Sequence, residues 1–448
     1  MNIVEQAKLF AIKAHFNQVR KSEKDKPMII HPIDVGNILK QYNFDDNVIS
    51  AGILHDVIED TKYTKEDILN LFGEDILSLV LGDTEIDKSL SWEERKKYTI
   101  DTVKNLDLRH KAICCADKIS NLEDMMILFE KNGKYDFSSF KRGFEEQKWY
   151  FTHLYESLIY NEDSNHPMFI RLKELIDYIF NNKKNDDYVK NVIYKDSKEE
   201  YSEVLKLHFK KLEIKKLKNI FDNKPYVIEF TGTPRTGKTT LINNLKDFFK
   251  KANFEVEVLE EFTTSLKYKT KIYPKLKNEY KNIINQEIPK YVLKQLNSSI
   301  KGDKDIIIID RSLFDRLIWA DRLYVKDGFT LEEYENYKNK YIPIIKKKIN
   351  VIVALFTDSI TCLKRDYYAN LSLEKRNFLN QENVDEYNTS LLNMKELSKK
   401  ESINLMLFDT TQKSQRQISI EIVNAILDDM RKYYINYIKR KIEKYNNN

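Results

Sequence analysis

Apolar positions recur with helical spacing through the first 180 residues of the chain. Two such runs are Val48-Ile49-Ala51-Ile53-Leu54 and Ile68-Leu69-Leu71-Phe72. Side chains three and four residues apart lie on one face of an α-helix. No stretch of this region alternates as a half-buried strand does. The pattern predicts an all-α domain over residues 1–180.

The pattern changes twice after residue 180. Residues 181–223 begin as a polar stretch and end in a segment with apolar residues on one side, which predicts a linker and a connecting helix. From residue 224 to 448, helical segments separate five short β-rich runs, at 226–231, 255–259, 305–309, 350–356 and 403–408. Strands that alternate with helices predict a parallel sheet covered on both faces. The chain is therefore expected to be multidomain, with an all-α domain followed by an α/β domain.

Composition narrows the class of protein. The 448 residues are 42% hydrophobic and 32% charged, which excludes disorder as the main state. No apolar run approaches the roughly 20 residues of a membrane helix. The three cysteines, two of them adjacent, do not form a disulfide framework, so we expect a reduced, cytoplasmic protein without a membrane partner. Residues 1–200 have a net charge of −8 and the remainder +13, which favours an anionic partner for the second half.

A phosphate-binding loop is the strongest single motif. Residues 232–239 read G-T-P-R-T-G-K-T, between a β-rich run and a helical segment. Backbone N–H groups of such a loop bind phosphates, its lysine reaches the β- and γ-phosphates, and its hydroxyl binds Mg²⁺. The predicted ATP contacts are Gly232, Arg235, Thr236, Gly237, Lys238, Thr239 and Thr240. The predicted Mg²⁺ ligands are Thr239 and Asp310.

Two short charged motifs follow the neighbouring β-rich runs. The third β-rich run ends in Asp310-Arg311-Ser312, and the second is followed by Glu260-Glu261. Over about residues 224–430 this arrangement resembles the deoxynucleoside and thymidylate kinase group. The resemblance implies that Glu260 or Glu261 acts near the accepting hydroxyl and that Arg311 binds substrate. It also implies a basic lid, here the segment with Lys364, Arg365, Lys375 and Arg376, of which Arg365 and Arg376 are the predicted substrate contacts.

A dispersed set of histidines and aspartates predicts a metal site in the helical half. His31-Pro32 is followed by His55-Asp56 and, much later, by Asp117. Nitrogen and oxygen ligands suit Mn²⁺, Fe²⁺ or another divalent ion, and such an ion lowers the pKa of bound water for attack on phosphorus. Glu59 and Asp60 follow Asp56 by three and four residues, which returns them to the same helix face.

These motifs resemble the HD-domain hydrolases, and within them the RelA/SpoT hydrolase domains and the small alarmone hydrolases. The matching segments are AKLFAIKAHFNQVRK, IIHPIDVGNIL, AGILHDVIEDT and ADKISNLEDM. The resemblance implies that Mn²⁺ is held by His31, His55, Asp56 and Asp117. It implies that Glu59 and Asp60 work with the attacking water, and that Arg20, Lys21 and Asn121 contact the nucleotide. The loop before His31 is about two residues longer than is usual in the family, and Met28 replaces a common tyrosine, which leaves the identity of the nucleotide open.

Three functions follow from these patterns. The first is a bifunctional enzyme that combines a metal-dependent phosphohydrolase, acting on an alarmone or another nucleotide, with an ATP-dependent nucleoside or nucleotide kinase. The second is nucleic-acid end healing by a 5′-kinase and a 3′-phosphatase or 2′,3′-cyclic phosphodiesterase. The third is a regulatory or defence hydrolase gated by ATP. The partners are nucleotides, nucleosides or nucleic-acid ends, and a homo-oligomer is left open.

Overall fold

The chain forms two compact units. The computed structural model describes residues 1–82, 89–133, 137–138, 141–181, 198–262, 287–326, 328–370 and 379–447, with no side chains for 198–200. One unit contains Met1–Asp222 and Arg431–Asn448, and the other contains Asn223–Met430. The first unit thus includes a C-terminal segment that the sequence analysis assigned to the second domain. No helix in the described ranges is both long and apolar enough to cross a membrane.

The first unit is helical, as predicted. Its described part contains an isolated bridge between Val19 and Pro27 but no named strand. The helices are α1 (Ile3–Ala14), α2 (Ile30–Gln41), α3 (Asp46–Leu54), α4 (Val57–Asp60), α5 (Lys65–Gly82), α6 (Trp92–Val103), α7 (Leu108–Asn132), α8 (Phe144–Leu158), α9 (Pro167–Phe180) and α10 (Lys198–Lys218). Helix α10 is the predicted connecting helix, whereas the preceding linker, 182–197, lies outside the described residues.

Local capping fixes where the site-bearing helices begin. The Asp45 side chain accepts hydrogen bonds from the backbone N–H groups of Asn47 and Val48, and so starts α3. Asp107 accepts from the N–H of His110 and starts α7. A side-chain oxygen at this position satisfies N–H groups that have no partner within the helix. The apolar faces of α2, α3 and α7 then pack together in the core of the unit.

The second unit contains a five-stranded parallel sheet with the order β2-β3-β1-β4-β5. The strands are β1 (Tyr226–Gly232), β2 (Val256–Leu259), β3 (Ile306–Asp310), β4 (Val351–Phe356) and β5 (Leu405–Asp409). The helices are α11 (Lys238–Lys250), α12 (Ile288–Ile300), α13 (Leu313–Val325), α14 (Leu331–Lys348), α15 (Ser359–Asn370), α16 (Gln381–Glu401) and α17 (Gln415–Asn446). Residues of α17 beyond Met430 belong to the first unit. The predicted α/β fold and parallel sheet are confirmed.

The central strand β1 carries the phosphate loop on its carboxyl end. Strand β1 is fully buried, with β3 and β4 as its neighbours. Gly232 ends the strand with φ 127°. A Cβ atom there would lie 2.0 Å from the carbonyl oxygen of Leu355 in β4. Only glycine allows this backbone approach and this φ, so Gly232 fixes where the loop leaves the sheet.

We therefore expect Gly232→Ala to destabilise the second unit by about 2 kcal/mol or more, because it combines a steric clash with an unfavourable φ. Calorimetric unfolding measures the effect. The matched control is Gly302→Ala, where the one neighbour of the added Cβ among the described residues is the carbonyl oxygen of Ser299, at 3.4 Å. Equal melting temperatures for the two variants would contradict the steric explanation.

Candidate functional sites

Three elements of the first unit bring the predicted metal ligands together. His31 lies in the first turn of α2, His55 directly follows α3, and Asp117 lies in the middle of α7. One ligand atom from each of these three buried residues lies within 4.8 Å of the others. The Nε2 atom of His31 is 3.0 Å from Oδ1 of Asp117, and that of His55 is 3.8 Å from the same oxygen.

The carboxylate of Asp56 completes this group. Its two oxygens lie 3.3 Å from Nε2 of His55 and 3.7 Å from Nε2 of His31. The Nδ1 atoms of the two histidines are used elsewhere, at 2.8 Å from the carbonyl oxygen of Gly52 and 3.1 Å from the hydroxyl of Ser120. A carbonyl oxygen can only accept, so Nδ1 of His55 carries a proton, and in the neutral ring the lone pair is on Nε2, which faces the group. The donor set therefore fits a divalent cation.

The electrostatics favour the protonation states that a metal requires. Burial, and then the charge of Arg20, lower the pKa of His31. Burial tends to raise the pKa of Asp56, but His55 and His31 outweigh it, and the pKa lies below its ordinary value. Burial opposes ionisation of Asp117 as well, and Lys118 followed by His31 holds its pKa well below normal. Neutral imidazoles and charged carboxylates are the states that bind a metal ion.

A cavity of about 820 Å³ opens over these ligands. Glu59 and Asp60 line it, as do all three predicted nucleotide contacts, Arg20, Lys21 and Asn121. The amide of Asn121 donates to Oδ1 of Asp117 at 2.6 Å, and its oxygen accepts from Arg20 at 3.1 Å. The sequence analysis missed further lining residues, which are the basic Arg95, Lys96, Lys118 and Lys141 and the aromatic Trp92, Tyr150 and Phe151. Lys118 lies within the matching segment ADKISNLEDM, whereas the other residues lie outside the matching segments named above.

The longer loop before His31 is held by a buried charge cluster. The N–H of Arg20 donates to the carbonyl of Lys26 at 3.0 Å, and Met28 lines the cavity. Lys26 is buried between Glu23, at 2.5 Å, and Glu213 of α10, at 2.8 Å. Burial tends to raise the pKa of Glu213, but nearby cations lower it to about 2. These cations are Lys26, Lys131 and Arg431.

In the second unit, backbone carbonyls of the phosphate loop position the side chain of its lysine. Lys238 begins α11, and its ammonium donates to the carbonyls of Thr233, at 3.1 Å, and Gly232, at 3.3 Å. Burial, followed by the charge of Arg311, lowers the pKa of Lys238 to about 7. A polyphosphate in the loop would therefore stabilise the charged ammonium.

The other loop residues lie where the motif predicts. Arg235 has φ 59°, and its Nε donates to Asp366 at 2.6 Å. The hydroxyl of Thr236 donates to the carbonyl of Thr233 at 2.9 Å. Gly237 precedes α11 with φ 85°. Thr239 and Thr240 lie in its first turn and are exposed.

The predicted kinase residues converge on the loop, with one exception. Oδ1 of Asp310 is buried, and within the described ranges it has no hydrogen-bond partner, which fits a Mg²⁺ ligand. Arg311 donates to the carbonyl of Gly232 at 3.2 Å, and its Nε lies 3.7 Å from a carboxylate oxygen of Glu261. Glu260, the exception, is exposed.

Sequence reasoning missed the buried Glu229 of β1. Its carboxylate accepts hydrogen bonds from the N–H groups of Ser312 at 2.8 Å, Asp315 at 3.0 Å and Phe314 at 3.2 Å. It therefore caps the start of α13 and holds the turn that carries Arg311. Burial raises the pKa of Glu229 to about 7, although the hydrogen bonds from these N–H groups act to lower it. The available signal was a charged residue inside an apolar strand.

The lid residues are only partly described. The guanidinium of Arg365 donates to the carbonyl of Thr410 at 2.6 Å and to its hydroxyl at 3.1 Å, just after β5. Lys364 is exposed. Lys375 and Arg376 lie outside the described residues.

Comparison with known proteins agrees with the two folds. A family model described as HD domain matches residues 7–134, and one described as AAA domain matches residues 227–344. Through its first unit the chain belongs to the HD-domain family that includes the MESH1 guanosine-3′,5′-bis(diphosphate) 3′-pyrophosphohydrolases. The resemblance of the first half to HD-domain hydrolases is thus confirmed, and so is the P-loop class of the second half.

Each individual relative matches only part of the chain. The MESH1 protein of Xenopus tropicalis is 35% identical over 125 residues, which are 28% of this chain and 69% of the relative. That of Drosophila melanogaster is 39% identical over 120 residues, which are 26% of this chain and 66% of the relative, just under two thirds. A solved structure of deoxyadenosine kinase from M. mycoides is 18% identical and covers 45% of this chain and 98% of its own, with a TM-score of 0.34.

We expect the stability cost of Glu213→Gln in the first unit to shrink by about 1 kcal/mol between pH 7 and pH 3.5. The pKa of Glu213 is lower in the folded chain, so its charge stabilises the fold above its ordinary pKa of 4.5. That contribution is lost as the pH falls from 4.5 toward 2.

Urea unfolding followed by tryptophan fluorescence measures this in a Trp319→Phe background, because Trp92 and Trp149 both lie in the first unit. Glu203→Gln, on the exposed face of α10, is the control and should show no such convergence. A cost for Glu213→Gln that is independent of pH would mean that the carboxylate is not charged in the cluster.

Proposed function

We propose that the chain is a bifunctional nucleotide-processing enzyme. Its first unit hydrolyses a phosphate or pyrophosphate ester of guanosine-3′,5′-bis(diphosphate) or a related nucleotide, and its second unit transfers the γ-phosphoryl group of ATP to a nucleoside or nucleotide. The observation that carries the proposal is the meeting of two histidines and two aspartates beneath a cavity lined by basic side chains.

The hydrolase chemistry follows from this arrangement. A divalent cation such as Mn²⁺, held by His31, His55, Asp56 and Asp117, would supply hydroxide at neutral pH. Glu59 and Asp60 lie on the next turn after Asp56 and line the same cavity, where a carboxylate can accept the proton of an attacking water. The basic lining residues neutralise the phosphates of the substrate and orient them.

The choice of substrate rests on the cavity and on the relatives. A volume of about 820 Å³ accommodates a nucleotide with more than one phosphate group. Trp92 and Tyr150 also line the cavity, and the ammonium of Lys96 lies 4.9 Å from the centre of the Tyr150 ring. The MESH1 relatives are named as 3′-pyrophosphohydrolases of guanosine-3′,5′-bis(diphosphate), which supports the same class of ester here.

The kinase chemistry is mainly positioning and charge neutralisation. Lys238 and the loop N–H groups bind the phosphates of ATP, and Mg²⁺ bound by Thr239 and Asp310 would neutralise the transferred group. Arg311 faces both the loop and Glu261. This favours Glu261 over the exposed Glu260 as the carboxylate that orients the accepting hydroxyl.

The first experiment is a product assay on the purified chain with Mn²⁺, with and without ATP and Mg²⁺. The substrates are guanosine tetraphosphate, a panel of nucleosides and nucleotides, and oligonucleotides with 5′-hydroxyl and 3′-phosphate ends. We expect turnover of the mononucleotides with little sensitivity to salt. Turnover of oligonucleotide ends alone, with an affinity that falls steeply as salt rises, would contradict the proposal and indicate end healing.

The two activities should separate by mutation. Asp56→Ala removes a metal ligand and should lower hydrolysis at least about 1,000-fold while sparing phosphoryl transfer. Lys238→Ala should have the opposite effect, because it removes the cation that binds the β- and γ-phosphates. The controls are Asp101→Ala and Lys250→Ala, which change exposed residues of the same two units. Loss of both activities in either folded variant would contradict independent sites.

A further inference from the structure

Helix α10 lies outside residues 7–134, yet it contributes a buried cation to the surroundings of the metal site. The side chain of Lys216 is 9% exposed. Its ammonium lies 2.7 Å from Oδ1 of Asp124, 2.8 Å from Oδ2 of Asp34 and 3.3 Å from the hydroxyl of Ser120. Each of these partners comes from α2 or α7, the helices that carry His31 and Asp117.

One branch of this network reaches a metal ligand. The hydroxyl of Ser120 donates its proton to Asp34 at 2.7 Å. It can therefore only accept from the ring of His31, whose Nδ1 lies 3.1 Å away. A proton on Nδ1 leaves the lone pair on Nε2, which faces Asp117 at 3.0 Å and Asp56 at 3.7 Å. The charge on Asp34, which orients Ser120, is balanced by Lys216.

A second branch reaches the loop that borders the cavity. Asp124 accepts from Lys216 through Oδ1 and from Arg20 through Oδ2, at 3.3 Å. Arg20 also donates to Asn121, which in turn donates to Asp117. Asp34 and Asp124 are buried carboxylates, and buried carboxylates require a paired cation. Within the described part of the unit, Lys216 contacts both of them.

We propose that Lys216 is a positioning residue of the hydrolase site, and that α10 is part of that site and not only a connection between units. Lys216 fixes the protonated nitrogen of His31 through Asp34 and Ser120, and it fixes Arg20 through Asp124. Groups that orient a metal-binding histidine in this way change metal affinity as well as activity. The inference rests on the proposed metal-dependent hydrolase.

The test is Mn²⁺ binding to the full, metal-stripped chain, measured by the electron paramagnetic resonance signal of free Mn²⁺. We expect Lys216→Met to weaken binding about 10–100-fold and Lys216→Arg to restore most of the affinity. The matched control is Lys111→Met. Lys111 of α7 is also buried, but it pairs with the carbonyl of Tyr160 and with Glu162, and none of these three residues lines the cavity.

Ser120→Ala tests the same branch without removing a charge, and it decides the matter if Lys216→Met does not fold. It should weaken Mn²⁺ binding in the same direction. Wild-type affinity in folded Lys216→Met, or in Ser120→Ala, would overturn the inference and leave the proposed function standing. Equal weakening by Lys111→Met would reduce Lys216 to a general stabilising role and overturn it too. A wild-type chain that binds no Mn²⁺ would overturn both proposals.

Discussion

Compensation of buried negative charge is the constraint on which the first unit depends. Asp56 and Asp117 lie beside two imidazoles in a helical core, where an unpaired carboxylate is costly. Lys118 contacts Asp117 directly, and Arg20 reaches it through Asn121. Behind these residues, Asp34 and Asp124 are matched by Lys216. The candidate ligands can stay charged because each group of carboxylates has its own cations, as the proposed cation site inside an apolar bundle requires.

The second unit also compensates buried charges, at the carboxyl ends of β1 and β3. The negative charges of Asp310 and Asp315 there lie near the positive charges of Lys238 and Arg311. Backbone groups also pair with the buried polar side chains, because three N–H groups donate to Glu229 and two carbonyls accept from Lys238. Gly232 has no Cβ atom, and this allows β1 to approach β4 closely at the point where the loop begins. Polar groups that satisfy one another in this way are preorganised, as the proposed binding of a nucleoside triphosphate requires.

Motifs and periodicity predicted the parts of the molecule that are encoded locally. The five strands were found within about two residues, because each is a short apolar run between helices. The four candidate metal ligands were predicted from their distinctive spacing, and the structure brings them together. Glu213 and Lys216 could not be found in this way. They lie among charged neighbours on a helix whose apolar residues define its face, and their partners are 82 to 218 residues away in the chain. These two residues are buried because they pair with residues far away in the sequence, and the local hydrophobic pattern does not predict such pairs.

Net charge also proved to be a coarser guide than local charge. The first half of the chain is acidic overall, at −8, and its composition alone gave no reason to expect an anionic ligand there. Its cavity nevertheless gathers six basic side chains around the candidate metal ligands, namely Arg20, Lys21, Arg95, Lys96, Lys118 and Lys141. A field acts on a ligand through the groups that line its site, and walls of low dielectric strengthen that field. The acidic residues elsewhere in the half are counted in the total, but they do not set the potential inside the cavity. The basic excess of the second half and the basic lining of the first are therefore separate features, and each is a separate argument for an anionic ligand.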